Sequence, residues 1–325
     1  MRPLSRSIIY PLIILLISSI ACFIYWLSLL DTQRIEMDTA KRRNELHVQQ
    51  INEAVDQQLD AELRSLDTTI KNLRAIFVHN HKDFDQSARD ILSTYPKGMI
   101  QFVNVLDANG HQVYSSENKP GATPQPISFA DQEYFQVHIN STIDQLFISN
   151  PRLGRLSGVP IIEFSRPIWN GKHFAGVIGI PLRPDYLSNN LWSLHINPND
   201  MISIVREDGR ILVCSRKMED GFKLTSPSDR PFMRSHSGDH GIFRETTITD
   251  KVPLLFSWRH LVNYPIIAVA AMDEVTELRN ITDQQSTSRI RAQFSIALVM
   301  GFSLWISALL LRDDRKNHAL GLTGV

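Results

Sequence analysis

The apolar residues of this chain gather in two long runs near its ends, and no other feature constrains the fold as strongly. From Ile8 to Leu30 no charged residue occurs, and Ile, Leu, Phe, Trp and Tyr dominate. Twenty-three helical residues rise about 35 Å, enough to cross a hydrocarbon core of roughly 30 Å with some tilt. A cleavable leader has a shorter apolar stretch, about 7–15 residues, and ends at small residues. Tyr25-Trp26 followed by Leu27, Leu29 and Leu30 is a poor cleavage site. The second run extends from Ala292 to Leu311, with Arg312, Arg315 and Lys316 directly behind it, and Arg2 and Arg6 precede the first run. Basic residues at the outer ends of both spans predict that both termini are cytoplasmic, although Arg289, Arg291 and Lys41-Arg42-Arg43 lie on the other side. The expected product is an extracytoplasmic domain tethered at both ends.

Between the spans the pattern is helical at first. Ile51, Val55, Leu59, Leu63, Leu66, Ile70, Leu73 and Phe77 follow one another at steps of four and three, which puts one apolar stripe on a long stalk helix. A shorter helix is expected next, opened by Asp83 or Asp85 and closed before Pro96. The period then changes to that of strands. Ile100 to Leu106 reads as a strand, Asp107-Ala108-Asn109-Gly110 as a turn, and His111 to Ser115 as the returning strand. A second hairpin is predicted from Ile161 to Ile168 and from His173 to Ile180, around Trp169-Asn170-Gly171-Lys172, followed by a helix from Pro184 to Leu191.

The same grammar recurs later in the chain. Val105-Leu106-Asp107-Ala108-Asn109-Gly110 is matched by Ile204-Val205-Arg206-Glu207-Asp208-Gly209, Phe164-Ser165-Arg166 by Phe256-Ser257-Trp258, and Phe174–Ile180 by Tyr264–Ala270. The fold class predicted is α+β: a long N-terminal stalk helix and two antiparallel-sheet modules, flanked by two transmembrane helices. The expected segments are 1–7 (cytoplasmic), 8–30 (first span), 31–82 (stalk), 83–195 (distal module), 196–272 (proximal module), 273–291 (connecting helix), 292–311 (second span) and 312–325 (cytoplasmic tail).

One ordered set of elements is more specific. Asp131-Gln132-Glu133-Tyr134-Phe135 precedes Phe147-Ile148-Ser149-Asn150-Pro151 and Gly154-Arg155-Leu156-Ser157-Gly158. Ile161-Ile162-Glu163-Phe164-Ser165-Arg166-Pro167, Gly171 and Phe174-Ala175-Gly176-Val177-Ile178-Gly179 then follow. In this order, between two spans, the chain resembles the double Cache (tandem PAS-like) sensors attached to bacterial diguanylate cyclases and histidine kinases. The resemblance implies a periplasmic small-molecule sensor of the inner membrane, acting as a homodimer, with its ligand in the membrane-distal module. The residues there agree with a polar ligand. Tyr134 and Phe135 offer an aromatic wall, Arg155 and Arg166 forked donors, and Ser149, Glu163 and Ser165 orienting groups. Each also has a plainer reading: Phe135 as core, Arg155 as a solvated charge, Glu163 as the partner of Arg166. Amino-acid-binding relatives carry an Arg and an Asp where this chain has Gln132 and Pro181. An organic acid or another small anion is therefore expected instead.

No phosphate loop, dinucleotide fingerprint, nucleophile elbow or paired-Cys zinc pattern occurs, so no enzyme activity, cofactor or metal is expected. His79 and His81, and His236 with Asp239 and His240, are weak metal candidates. Net charge is zero and no basic patch is interleaved with aromatics, which argues against nucleic acid. Cys22 and Cys214 are the two cysteines, so no disulfide can form within the middle region. Relatives continue beyond the second span into a cytoplasmic effector. Only Arg312 to Val325 follow here, so the expectation is the sensory part of a cyclase or kinase, or a chain acting through a cytoplasmic partner. The alternative is a membrane adaptor whose ectodomain docks a periplasmic protein.

Overall fold

Helix α1 spans Arg6–His79, and the apolar stripe predicted for its second half is buried: Val55, Leu59, Leu63, Leu66, Ile70 and Leu73 are each at most 2% exposed. The computed structural model describes residues 6–119, 127–155, 157–192, 200–215, 225–234, 238–247 and 251–321. The chain divides into two units, Glu45–Asp273 and, separately, Met1–Asn44 with Glu274–Val325.

Within Glu45–Asp273 the chain forms two antiparallel sheets. A 3-10 turn, His81–Asp83, leads from α1 into α2, Phe84–Ser93. The first sheet comprises β1 (Asn104–Asp107), β2 (Gln112–Ser115), β3 (Phe147–Ile148), β5 (Pro160–Asn170) and β6 (His173–Leu182), in the order β2-β1-β6-β5-β3. The two-residue strand β4, Arg152–Leu153, pairs with the start of β5. Helix α3, Glu133–Ile139, packs on this sheet, and α4, Pro184–Trp192, follows β6. The second sheet comprises β7 (Met201–Arg206), β8 (Ile211–Cys214), β9 (His240–Thr246), β10 (Pro253–His260) and β11 (Ile266–Met272), ordered β8-β7-β11-β10-β9.

The internal repeat is visible in hydrogen bonds as well as in strand order. Val103 N–H donates to Ser116 Oγ and Ile202 N–H to Ser215 Oγ, while Phe129 N–H reaches Gly110 O and Ser226 N–H reaches Gly209 O. Registers refine the sequence match. Asn104 pairs with Gly179 and Gly179 with Ser165; in the second sheet Ser203 pairs with Val269 and Val269 with Trp258. Ser165 is therefore equivalent to Trp258 and Glu163 to Phe256, so the predicted match of Phe164 with Phe256 is one residue out. The first strand is shorter than predicted, starting at Asn104. Its neighbour Pro181 has no N–H to donate, which leaves Gln101 N–H bonded to Pro181 O without a continuous ladder.

Successive strand residues point to opposite faces, and each face has its own core. Val105, Phe164, Ile178 and Ile180 face the α1 stripe in one cluster that also takes in Ile204, Leu255, Ala268 and Ala270 of the second sheet. On the other face of the first sheet, Leu106 and Val177 meet Tyr134, Phe135 and Phe129. On the corresponding face of the second sheet, Val205, Phe256, Trp258 and Val269 pack with Phe232.

In the other unit, α1 contributes the first apolar run and α5, Glu274–Gly321, the second. Both are long and apolar enough to cross a membrane. Their apolar side chains are largely exposed, for example Leu16, Phe23, Phe294 and Leu298, as a lipid-facing surface requires. The two helices meet through polar groups. Ser18 Oγ lies 2.7 Å from Ser303 Oγ, and Gln33 and Gln285 exchange amide-to-carbonyl bonds of 3.1 and 2.8 Å, with Arg289 Nε on Gln33 Oε1.

Candidate functional site

The face of the first sheet beneath α3 carries Asn104 from β1, Glu163 and Ser165 from β5, and Gly179 from β6. Alternation alone puts them there, opposite the stripe-facing Val105, Phe164 and Ile178. Glu163 is fully buried, with Oε2 3.2 Å from Arg152 Nη2. Burial pushes its carboxyl up to about 7, against the opposing pull of Arg152. The Asn104 amide beside it also favours ionisation, though no bond of ordinary geometry joins the two. Four buried polar atoms here have no hydrogen-bond partner: Glu163 Oε1, Asn104 Oδ1, Arg152 Nε and Tyr134 Oη. Tyr134 is wholly buried on α3, its ring 5.3 Å beneath the Arg152 guanidinium. Burial, with the Glu163 charge added, holds its phenol far above the ordinary range.

Asn104, Arg152 and Glu163 line a cavity of about 10 Å³, room for roughly one water, with Phe102, Phe129 and Ile161 beside them and Gly154, Arg155 and Ser157 over it. Gly179 leaves room for the two acceptor oxygens beside it. A Cβ at that position would stand 2.3 Å from Glu163 Oε1 and 2.9 Å from Asn104 Oδ1. Chemically, this is a buried subsite with two unsatisfied acceptors, one unsatisfied guanidinium N–H and a phenol.

Of the residues predicted from sequence, the structure brings Tyr134 and Glu163 together and sets Arg155 at the rim. Arg155 donates to Ser128 O and to Asp131 Oδ2, with its guanidinium over the Phe129 ring. Phe135 is core, edge-on to Phe174 at 5.7 Å. Ser149 staples backbone, accepting from Glu163 N–H and donating to Asn150 O. Ser165 Oγ lies 3.0 Å from His138 Nε2, and burial lowers that imidazole to about 4. Arg166 does not belong to the group. It points to the opposite face, where it grips Asp67 of α1 and places Nη1 2.7 Å from Asp144 Oδ1, itself held by Arg74. The reading of Glu163 as its partner fails for the same reason, since strand residues three apart point to opposite faces.

Asn104, Arg152 and His138 are site residues that sequence reasoning passed over. Asn104 had a signal, as the one polar residue in Val103-Asn104-Val105-Leu106. Arg152 had none, because its place depends on β4 folding back on β5. A larger cleft, about 760 Å³, lies between the two modules and α1 and is lined by Asp67, Asp144, Arg166, Arg206 and Tyr264. Its arginines and aspartates are paired: Arg206 takes Glu133 and Asp208, Arg166 takes Asp67 and Asp144, and Arg64 takes Asp60. Among the described residues no three His, Cys, Asp or Glu side chains gather as a metal site; His236 lies outside those residues.

The profile of the Cache domain family, in its double form, matches residues 36–278. Solved structures share the fold at low identity. The extracellular domain of a protein described as a histidine kinase, rpHK1S-Z16, aligns with a TM-score of 0.63 at 19% identity over 74% of this chain and 98% of that one. The ligand-binding domain of the Pseudomonas fluorescens chemoreceptor CtaA, solved with L-alanine, gives 0.54 at 16% over 70% and 96%. That of the Campylobacter jejuni chemoreceptor Tlp3, solved with L-valine, gives 0.53 at 10% over 73% and 95%. No sequence of a curated protein matches the chain.

Proposed function

The chain belongs to the Cache domain family, and we propose that it is the sensory part of a membrane receptor that binds a small polar molecule in its first module. One observation carries this reading. At equivalent positions of two modules built on one plan, the second has Phe256, Trp258 and Val269, whereas the first has Glu163, Ser165 and Gly179. The second module closes its core with aromatics. The first leaves four buried polar atoms without partners, three of them on residues that line a small cavity. Unsatisfied buried groups cost about 1–3 kcal/mol each, and a ligand that bonds to them recovers that cost. The complexes of Tlp3 and CtaA with L-valine and L-alanine support a small ligand for this fold. Anything larger than a water requires Gly154, Arg155 and Ser157 to move aside.

The sensor is expected in the bacterial inner membrane, with Glu45–Asp273 periplasmic, both termini cytoplasmic, and a homodimer delivering the signal to a cytoplasmic cyclase, kinase or partner. The ion network offers a route from ligand to stalk. Asp67 of α1 is bonded to Arg166, which stands next to Ser165 on β5, and α1 continues to Arg6. A ligand acts along this route only through its difference in affinity for two arrangements. The test is a thermal-shift screen of small polar metabolites on the full chain in nanodiscs. A hit whose stabilisation Tyr134→Phe weakens is expected. A hit unaffected by every change around the cavity would move the site elsewhere. For topology, cysteines added before Arg6 and at Asn118 should label from opposite sides of the membrane.

A further inference from the structure

The cleft between the two modules is built on different chemistry from the buried cavity, and the two share no lining residue. Its apolar lining includes Phe147 of β3 and Tyr264 and Pro265 of the β10–β11 turn. Tyr264 is only 9% exposed, yet its hydroxyl has no hydrogen-bond partner among the described residues. Burial, with the charges of Asp67 and Asp60 added, raises its phenol above the ordinary value, so the hydroxyl stays protonated and can donate. The cations around it are already matched. Asp67 and Asp144 hold Arg166, Glu133 and Asp208 hold Arg206, and Asp60 holds Arg64. An anion entering the cleft competes with these carboxylates for the guanidinium groups, and a cation competes with the guanidinium groups for the carboxylates. A hydroxyl displaces neither, since it both donates and accepts and can add to an outer lone pair or a remaining N–H. The side chains of Asp144 and Asp208 are 43% and 45% exposed, so outer lone pairs are within reach of a visitor.

We propose that this cleft is a second binding site, for a neutral sugar, anchored by a hydrogen bond from Tyr264 Oη, with the ring of the sugar against Phe147 and Pro265 and its hydroxyls on the Arg166–Asp144 and Arg206–Asp208 pairs. The volume of about 760 Å³ lies within the usual range of small-molecule sites, about 300–1,000 Å³. The site goes beyond the sensor reading and does not depend on it. Its lining comes from the segment around β3, from the β7–β8 and β10–β11 turns and from α1, so a molecule bound there touches both modules and the stalk at once. It also lies against the Asp67–Arg166 contact, the route by which the first site would reach α1.

The experiment measures binding to the full chain in nanodiscs at pH 7 by calorimetry. D-Glucose and D-galactose are the neutral probes, and the uronate and the 2-amino form of each are the charged ones. At least one neutral sugar is expected to bind, and at least tenfold more tightly than either of its charged forms. Tyr264→Phe removes the hydroxyl and keeps the ring, so it should weaken that sugar about fivefold, the worth of roughly one hydrogen bond. Gln145→Trp, at an exposed position lining the cleft, fills the space without disturbing the core and should abolish binding. Tyr134→Phe, in the first module, should leave it unchanged. Binding within twofold of wild type in both Tyr264→Phe and Gln145→Trp overturns the proposal, as does a charged form that binds as tightly as its neutral sugar. Sugar binding that Tyr134→Phe weakens and Gln145→Trp does not would put the sugar in the first module, and overturns it too. No binding of either neutral sugar up to about 10 mM overturns the second site and leaves the sensor reading standing.

Discussion

Replacing Glu163 by Gln should change how the stability of the protein responds to pH, without any ligand present. The carboxyl is fully buried and its folded value is about 7, against 4.5 for the ordinary group. A raised value means that the folded state holds a proton that the unfolded chain has released. The stabilising contribution is complete below 4.5 and is lost as pH rises through 7. That gap corresponds to about 3 kcal/mol of destabilisation at neutral pH relative to an uncharged isostere. His138 works the other way close by. Its imidazole is lowered to about 4 by burial, so its contribution is present above the ordinary value of 6.5 and lost on acidification. The two windows overlap, and the wild-type profile alone is ambiguous. The difference between Glu163→Gln and wild type cancels the histidine. It should be constant below pH 4.5 and rise by about 3 kcal/mol in favour of the variant by pH 8. For a unit the size of Glu45–Asp273 this is a midpoint gain of about 6–12 °C, readable by thermal melts of the full chain in nanodiscs. Parallel profiles from pH 4 to 8 would show that Glu163 is solvated or fully paired, and the argument for a strained polar cavity would fail.

Arg166→Ala should destabilise by about 2–3 kcal/mol, because it leaves the buried Asp67 carboxylate with Lys71 alone; Arg166→Lys should lose less, and a loss under about 1 kcal/mol would refute the network. Hydrogen bonds from Arg166 and Lys71 hold Asp67 below the ordinary carboxylate range despite its burial, so this contribution should fade only as pH falls below about 4, seen as an acid limb that Asp67→Asn removes. Gly176→Ala should cost about 4 kcal/mol or prevent folding. Its φ is +146° and the added Cβ would stand 2.0 Å from Leu106 O, so near-normal expression and melting would be the contrary result. Cysteines at Ser18 and Ser303, in a Cys22→Ser background, should form a disulfide within one chain on mild oxidation, since the two hydroxyls are 2.7 Å apart; no crosslink on non-reducing gels would mean that the helices do not pair there.

What the sequence disclosed follows from the range of the interactions involved. The spans and the stalk stripe are local patterns, and Val55 to Leu73 are buried as their spacing predicts. The double module was legible because a turn with Gly110 or Gly209 repeats its own hydrogen bonds. The failures are failures of facing. Phe164 and Phe256 look alike in sequence but lie on opposite faces, since a one-residue slip in a strand exchanges faces. Arg166 was grouped with Glu163 against the same rule, and period two could have separated them. Arg152 and His138 reach the site through tertiary packing, for which the sequence carries no periodic signal.

The proposal that the site lies in the first module, and not the second, rests on comparing the two on one frame. Four unpartnered buried atoms at about 1–3 kcal/mol each are a large fraction of the roughly 5–15 kcal/mol that stabilises a typical domain. Packing needs do not explain them. The second sheet shows that the same strands accept Phe256 and Trp258 at these positions, where the rings pack with Phe232 and Phe243. Gly179 points the same way, since Val269 occupies its place in the second sheet and any Cβ in the first would meet Glu163 and Asn104. A glycine, an acid with one free oxygen and an amide with a free oxygen kept together, when the chain's own repeat demonstrates an apolar solution, are what the proposed binding site accounts for.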